Sequence, residues 1–150
     1  MAEKLRIAIA SDKSGFPLKE AVKEYLEGRD DIEVIDFGAP SEDEANPYDI
    51  QAPKVAQAIQ HGEADRGVAI CGTAQGMAIV ANKHKGVYAV VADTVFAAEK
   101  GRIINNANVL TMGGWITAPK LGVDIVKSCL ALSFTDTKAH RKDRPSLASH

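Results

Sequence analysis

The feature that most restricts the fold of this chain is the stretch from residue 67 to residue 83. Gly67-Val-Ala-Ile-Cys71 is a short, apolar, β-branched run, the mark of a strand buried on both faces. Gly72-Thr-Ala-Gln-Gly76 follows as a tight turn, and Ala74 to Lys83 reads as a helix. A strand, tight turn and helix in that order is where parallel α/β folds put their chemistry. The two glycines let the backbone approach a ligand closely. The unpaired N–H groups at the start of the helix can hold an anion or a developing oxyanion. Cys71 closes the strand, where the helix dipole favours a thiolate. The spacing is not a Walker loop, because no Gly-Lys-Ser/Thr follows, and it is not the dinucleotide Gly-x-Gly-x-x-Gly. It describes an anion or enolate cradle with a thiol at its mouth. A buried structural cysteine beside an ordinary turn is the competing description, and the strand-end position weighs against it.

The same alternation runs through the chain. Leu5–Ala10 reads as the first strand and Ser11–Gly15 as a turn. Pro17 suits the opening of a helix whose stripe is Leu18, Ala21, Val22, Tyr25 and Leu26. Asp12 is either a cap for that helix, shared with Ser14, or a carboxylate facing the same crevice as Cys71. Lys13 is either a solvated charge or a cation for an anionic ligand. Ile32–Phe37 is the second strand, followed by an acidic loop from Gly38 to Pro47, long enough to carry a site. Tyr48–His61 is helical with Ile50, Val55, Ala56 and Ile59 inward, so Pro53 must fall in its first turn or the helix must start later. Tyr48 lies in the core or lines the crevice.

Gly86–Val91 is the fourth strand, and Asp93 or Thr94 caps a helix to about Arg102. Asn105, Asn106 and Asn108 mark a turn, or present amides to a ligand, before strand Val109–Met112. Trp115 reads as a packing or interface residue. Pro119–Leu132 forms the last helix, with Leu121, Ile125, Cys129 and Leu132 inward and Cys129 in the core. Five alternations predict a parallel, twisted five-stranded sheet with helices on both faces.

Composition narrows the function. At 150 residues, 45% hydrophobic and 25% charged, the chain fits one domain, expected over 1–134, with a basic tail over 135–150. A net charge of −2 argues against general nucleic-acid affinity, and no apolar run reaches membrane-span length. Two distant cysteines and the absence of a signal-peptide core point to the cytoplasm. His61, His84, His140 and His150 show no metal-ligand spacing, so no metal is expected. The tail cations Lys138, His140, Arg141, Lys142 and Arg144 form a loose end, or an arm that completes an anion site in a partner subunit.

Four stretches together resemble the type B ribose-5-phosphate isomerases and the related galactose-6-phosphate isomerase subunits. They are Ile-Ala-x-x-x-Asp-x-x-Gly-Phe-x-Leu-Lys near the start, Val-Ile-Asp-Phe-Gly, Ile-Cys-Gly-Thr-x-x-Gly-x-x-Ile-x-Ala-Asn-Lys and Asn-x-Ala-Asn-Val-Leu. The resemblance spans about residues 5–134. It implies a three-layer Rossmann-like sandwich, a homodimer or dimer of dimers, and metal-free, cofactor-free aldose–ketose isomerisation of a small sugar phosphate through a cis-enediolate. It places Cys71 as the base that moves the proton between C1 and C2, with Thr73 beside it. The amides of Gly72, Ala74, Gln75 and Gly76 would hold the enediolate oxygen. Asp12 would bind substrate hydroxyls, Tyr48 would line the pocket, and Asn105 would lie beside the enediolate.

Three positions depart from the family's pattern. Lys13 stands where the ribose enzymes carry a phosphate-contacting histidine, Ile104 where they carry the ring-opening histidine, and Trp115 where they carry a phosphate-binding arginine. The family's tail arginines correspond loosely to Lys138 and to Arg141 or Lys142. An isomerase is the leading expectation. A non-catalytic sugar-phosphate-binding partner subunit is the alternative, and a nucleotide-binding module is disfavoured by the absent phosphate-loop motifs.

Overall fold

The computed structural model describes residues 3–38 and 40–134. Five strands, β1 Leu5–Ser11, β2 Ile32–Asp36, β3 Arg66–Cys71, β4 Ala89–Val91 and β5 Val109–Gly113, form one sheet in the order β2-β1-β3-β5-β4. Every pairing is parallel. The connecting helices are α1 Phe16–Glu27, α2 Tyr48–Gln60, α3 Gln75–Ala81, α4 Val95–Asn105 and α5 Pro119–Leu130. The fold class expected from the sequence is therefore the one observed.

The two faces of the sheet differ in side-chain size. Ile7, Ile9, Val68, Ile70, Leu110 and Met112 share one cluster with Leu18, Val22 and Leu26 of α1 and with Ile125, Val126 and Cys129 of α5. Burying each large aliphatic there stabilises the fold by roughly 2 kcal/mol. The other face presents Ala8, Ala10, Ala69 and Cys71 to Ala52, Val55 and Ala56 of α2 and to Met77 of α3. Small residues let α2 lie close to the strands. At Gly67 even a Cβ would collide with Val55 Cγ1.

Several boundaries differ from the expected ones, each for a local reason. Helix α3 stops at Ala81 rather than Lys83, because the Asn82 amide bridges to β4, accepting from Ala89 N at 2.7 Å and donating to Ala89 O at 2.9 Å. Strand β4 starts at Ala89 rather than Gly86, because the Asn108 side chain takes the Tyr88 N–H at 2.8 Å and donates to Gly86 O at 2.9 Å. Helix α4 continues three residues past Arg102 and is capped by Thr94 Oγ1, which accepts from Ala97 N at 3.0 Å. Pro53 sits in the second turn of α2, inside a helix that still begins at Tyr48, and the carbonyl deprived of a donor is that of the exposed Asp49. Ile50 and Leu121, expected inward, are exposed. Among the described residues no helix is long and apolar enough to cross a membrane.

Candidate active site

Three turns meet at the carboxyl ends of β1, β3 and β5. Cys71 ends β3 in register with Gly113, at 4% exposure in the buried cluster that holds Ala10 and Met77. The chain then turns through Gly72, Thr73 and Ala74 into α3. Ala74 adopts a left-handed φ of 73°, which a residue with a Cβ takes only under constraint. It is fully buried, whereas Thr73 and Gln75 are exposed. Helix α3 has only seven residues, so the polarity at Cys71 comes from the amides of the turn more than from a long helix dipole.

The turn after β5 is stitched to this one. Gly114 N donates to Cys71 O at 2.7 Å, and Trp115 N donates to Gly72 O at 3.0 Å. Gly114 also lies so close to the backbone of Ser14 that any side chain there would collide with it. Two aromatic rings then flank the turn after β3. A Cβ built on Gly72 would come 2.6 Å from the Trp115 indole, and one on Gly76 would come 2.7 Å from the Tyr48 ring. At both positions the missing side chain lets a ring lie directly against the backbone.

Asp12 follows β1 and donates its N–H to Ile70 O at 3.2 Å. Its Oδ1 accepts from Ser14 Oγ at 2.6 Å and from Gly15 N at 3.0 Å, which shapes the entry to α1. The same residue lines an open crevice of ≈ 530 Å³ with Lys13, Ser14, Asn46, Pro47 and Trp115. Asp12 thus shapes the helix entry and also lines a crevice, one whose lining does not include Cys71. Lys13 reaches Asp43 at 3.4 Å in an exposed pair, which contributes little to stability and leaves the ammonium accessible.

Asn105 is not brought to this end. It is the last, exposed residue of α4, and Asn106 turns the chain with a left-handed φ of 54°. Asn108 O accepts from Gly67 N at 2.7 Å, at the start of β3. Within one chain Asn105 and Ile104 therefore lie roughly one strand length, about 13 Å, from the level of Cys71. Lys138 and Arg141 lie outside the described residues.

The sequence reading missed an ionic cluster beneath the crevice loop. Lys19 is completely buried, with Nζ 3.1 Å from Asp36 Oδ2 and 3.1 Å from Glu20 Oε1. Lys23 reaches Asp36 at 3.1 Å and Gly38 N donates to it at 2.7 Å. Burial alone would raise the Asp36 carboxyl, but the Gly38 N–H and the Lys23 and Lys19 ammonium groups outweigh it and hold it below the usual range. Gln51 of α2 ties the same region to β1, donating to Ser11 O at 3.2 Å and Phe37 O at 3.3 Å. The signal was available, because Lys19 falls at i−3 from Val22 and i−7 from Leu26, on the buried stripe of α1. The second cysteine, Cys129, is a core residue whose thiol burial pushes up. Among the described residues no group of three or more His, Cys, Asp or Glu could hold a metal ion.

The profile of one family, described as Ribose/Galactose Isomerase, matches residues 7–145. The chain belongs to the ribose/galactose isomerase family. A family member from Clostridium sp. (strain MSTE9), 4-deoxy-4-sulfo-D-erythrose isomerase, is 50% identical over 132 residues, 88% of this chain and 82% of its own length. D-erythrulose-4-phosphate isomerase 2 of Mycolicibacterium smegmatis is 40% identical, over 90% of each chain. Among solved structures of the family, the ribose 5-phosphate isomerase of Thermotoga maritima superposes with a TM-score of 0.85 at 41% identity, covering 92% of this chain and 94% of its own.

Proposed function

We propose that this chain interconverts a four-carbon aldose and its ketose, the sugar carrying a terminal oxyanion at C4. The observation that carries the reading is the thiol of Cys71 closing β3 directly before the Gly72–Gly76 turn, beside the turn after β1 that carries Asp12 and Lys13 and is joined to β3 by the Asp12 N–H on Ile70 O. The Cys71 thiolate takes the proton from C2 of the aldose. The C–H electrons form the C1–C2 double bond, and the carbonyl electrons move to O1, giving an enediolate. The turn amides meet the charge that develops on O1. The proton then returns to C1, while the hydroxyl proton on O2 passes to O1 and C2 becomes the carbonyl. Asp12 binds substrate hydroxyls, Thr73 and Tyr48 line the site, and Lys13 faces the terminal anion. The relatives are named as enzymes, which favours catalysis over a binding-only partner subunit.

The four-carbon assignment rests on Ile104 and on the relatives. A tetrose whose C4 oxygen is esterified, or replaced by a sulfonate, cannot close a five-membered ring, so no ring-opening histidine is needed. Two family members act on such compounds by name. The expected result is a kcat/KM at least tenfold higher for D-erythrulose 4-phosphate or 4-deoxy-4-sulfo-D-erythrose than for ribose 5-phosphate. A preference for ribose 5-phosphate, with no gain on it from Ile104→His, would overturn the assignment.

We also propose that the site is completed across a homodimer, or a dimer of dimers, in the cytoplasm. The separation of Asn105 from Cys71 within one chain supports this reading, since a two-fold partner can supply what its own chain cannot. The tail cations Lys138 and Arg141 would join the terminal-anion site in the same way. Mixing and reassembling Cys71→Ala with Asn105→Ala subunits is then expected to restore up to about a quarter of wild-type activity, because each mixed dimer regains one intact site. Two inactive variants that stay inactive after reassembly count against a shared site.

A further inference from the structure

We infer that Trp115 is the specificity-determining wall of this site: the carbon chain of the sugar lies against its indole, which favours a four-carbon substrate over a longer one. The inference rests on the isomerase reading above and adds a residue to it. Trp115 is the chain's single tryptophan and its largest apolar side chain, yet it is 75% exposed. An indole in water contributes little to folding, so its position calls for another partner.

The indole is placed with precision for an exposed group. Trp115 N donates to Gly72 O at 3.0 Å, and the following turn closes with Ile116 N and Thr117 N donating to Gly113 O at 3.0 and 2.8 Å. The ring rests on Gly72, the residue after Cys71. Any side chain at that position would displace it.

The crevice joins polar and apolar groups. Asp12, Lys13, Ser14, Glu42 and Asn46 give it polar groups, and the Trp115 indole is the largest of its apolar groups, beside Ala45 and Pro47. A polyhydroxy chain presents hydroxyls on some edges and C–H groups on others. The hydroxyls suit Asp12 and Ser14, and the C–H groups suit the indole. Asp12 and Lys13 are adjacent in sequence, and the Asp12 N–H is bonded to Ile70 O, one residue before Cys71. The thiol, the hydroxyl-binding carboxylate and the terminal cation are therefore gathered into a short span, with the indole along its side. A longer chain has to displace the ring to seat its terminal anion on Lys13.

Because no other tryptophan is present, emission excited at the red edge of the absorption band, where the tyrosines do not absorb, reports on this residue alone. Titration with D-erythrulose 4-phosphate is expected to give a saturable change in Trp115 fluorescence. In steady-state kinetics Trp115→Ala is expected to raise KM for the four-carbon substrate at least tenfold, with kcat within threefold. Its preference over ribose 5-phosphate should fall at least tenfold, and Trp115→Phe should retain most of it. An unchanged emission spectrum at saturating substrate, or equal losses on both sugars in the alanine variant, overturns the inference while leaving the isomerase reading intact. A wild-type protein that turns over neither sugar overturns that reading and this inference with it.

Discussion

Replacing Cys71 by alanine is expected to lower kcat by about 10²- to 10⁴-fold, the usual contribution of a positioned acid–base group. Substrate binding, read from Trp115 emission, should remain within a few-fold of wild type. The split follows from the geometry. The thiol sits at the end of a strand that is hydrogen-bonded on both sides, and Cys71 shares its register position with Gly113. Losing one sulfur at a site already lined by Ala10 and Ala69 removes little packing volume, so the variant should fold. Turnover within tenfold of wild type would assign Cys71 to the core and leave the proton transfer to another group.

Asp36→Ala is expected to cost about 3 kcal/mol of stability, measured as a shift in denaturant midpoint. The variant removes the carboxylate facing the fully buried Lys19 ammonium, which keeps Glu20 Oε1 at 3.1 Å and the Phe16 ring centroid at 4.8 Å. Adding Lys19→Met to that variant should recover most of the loss, because an apolar side chain of similar length needs no partner. Simple additivity of the two substitutions would contradict the coupling. The pH dependence has a definite sign. A carboxyl whose folded value lies below its unfolded value near 3.9 contributes stability above that pH and loses it as pH falls through the folded value. The gap between wild type and Asp36→Ala should therefore be widest near neutrality and narrow below about pH 4.

Elements with strong periodicity were legible in the sequence. Strands buried on both faces have few alternative readings, so β1, β3 and β5 and the parallel character of the sheet followed from residues alone, whereas the strand order did not. The strand-end position of Cys71 was visible for the same reason. What escaped were features that depend on a partner distant in sequence. Asn82 ends α3 and Asn108 delays β4 by reaching across to backbone groups of neighbouring elements, and a linear reading carries no trace of that reach. Trp115 is placed by a glycine 43 positions away, whose signal is the absence of a side chain. Lys19 was misleading because a lysine ordinarily marks solvent, and the facing Asp36 on β2, together with Glu20, makes its burial tolerable.

The unequal faces of the sheet bear on how this site can change over time. Helix α2 rides on a layer of alanines and on Gly67, and its first residue is Tyr48, whose ring covers Gly76. The thickness of that alanine layer therefore fixes the height at which the tyrosine meets the turn after β3. Adding methyl groups at Ala8, Ala10 or Gly67 would lift a rigid rod of thirteen residues and move the far end with it. Pocket width in this protein is thus written partly in its interior, and substrate range can drift through substitutions that never touch a ligand.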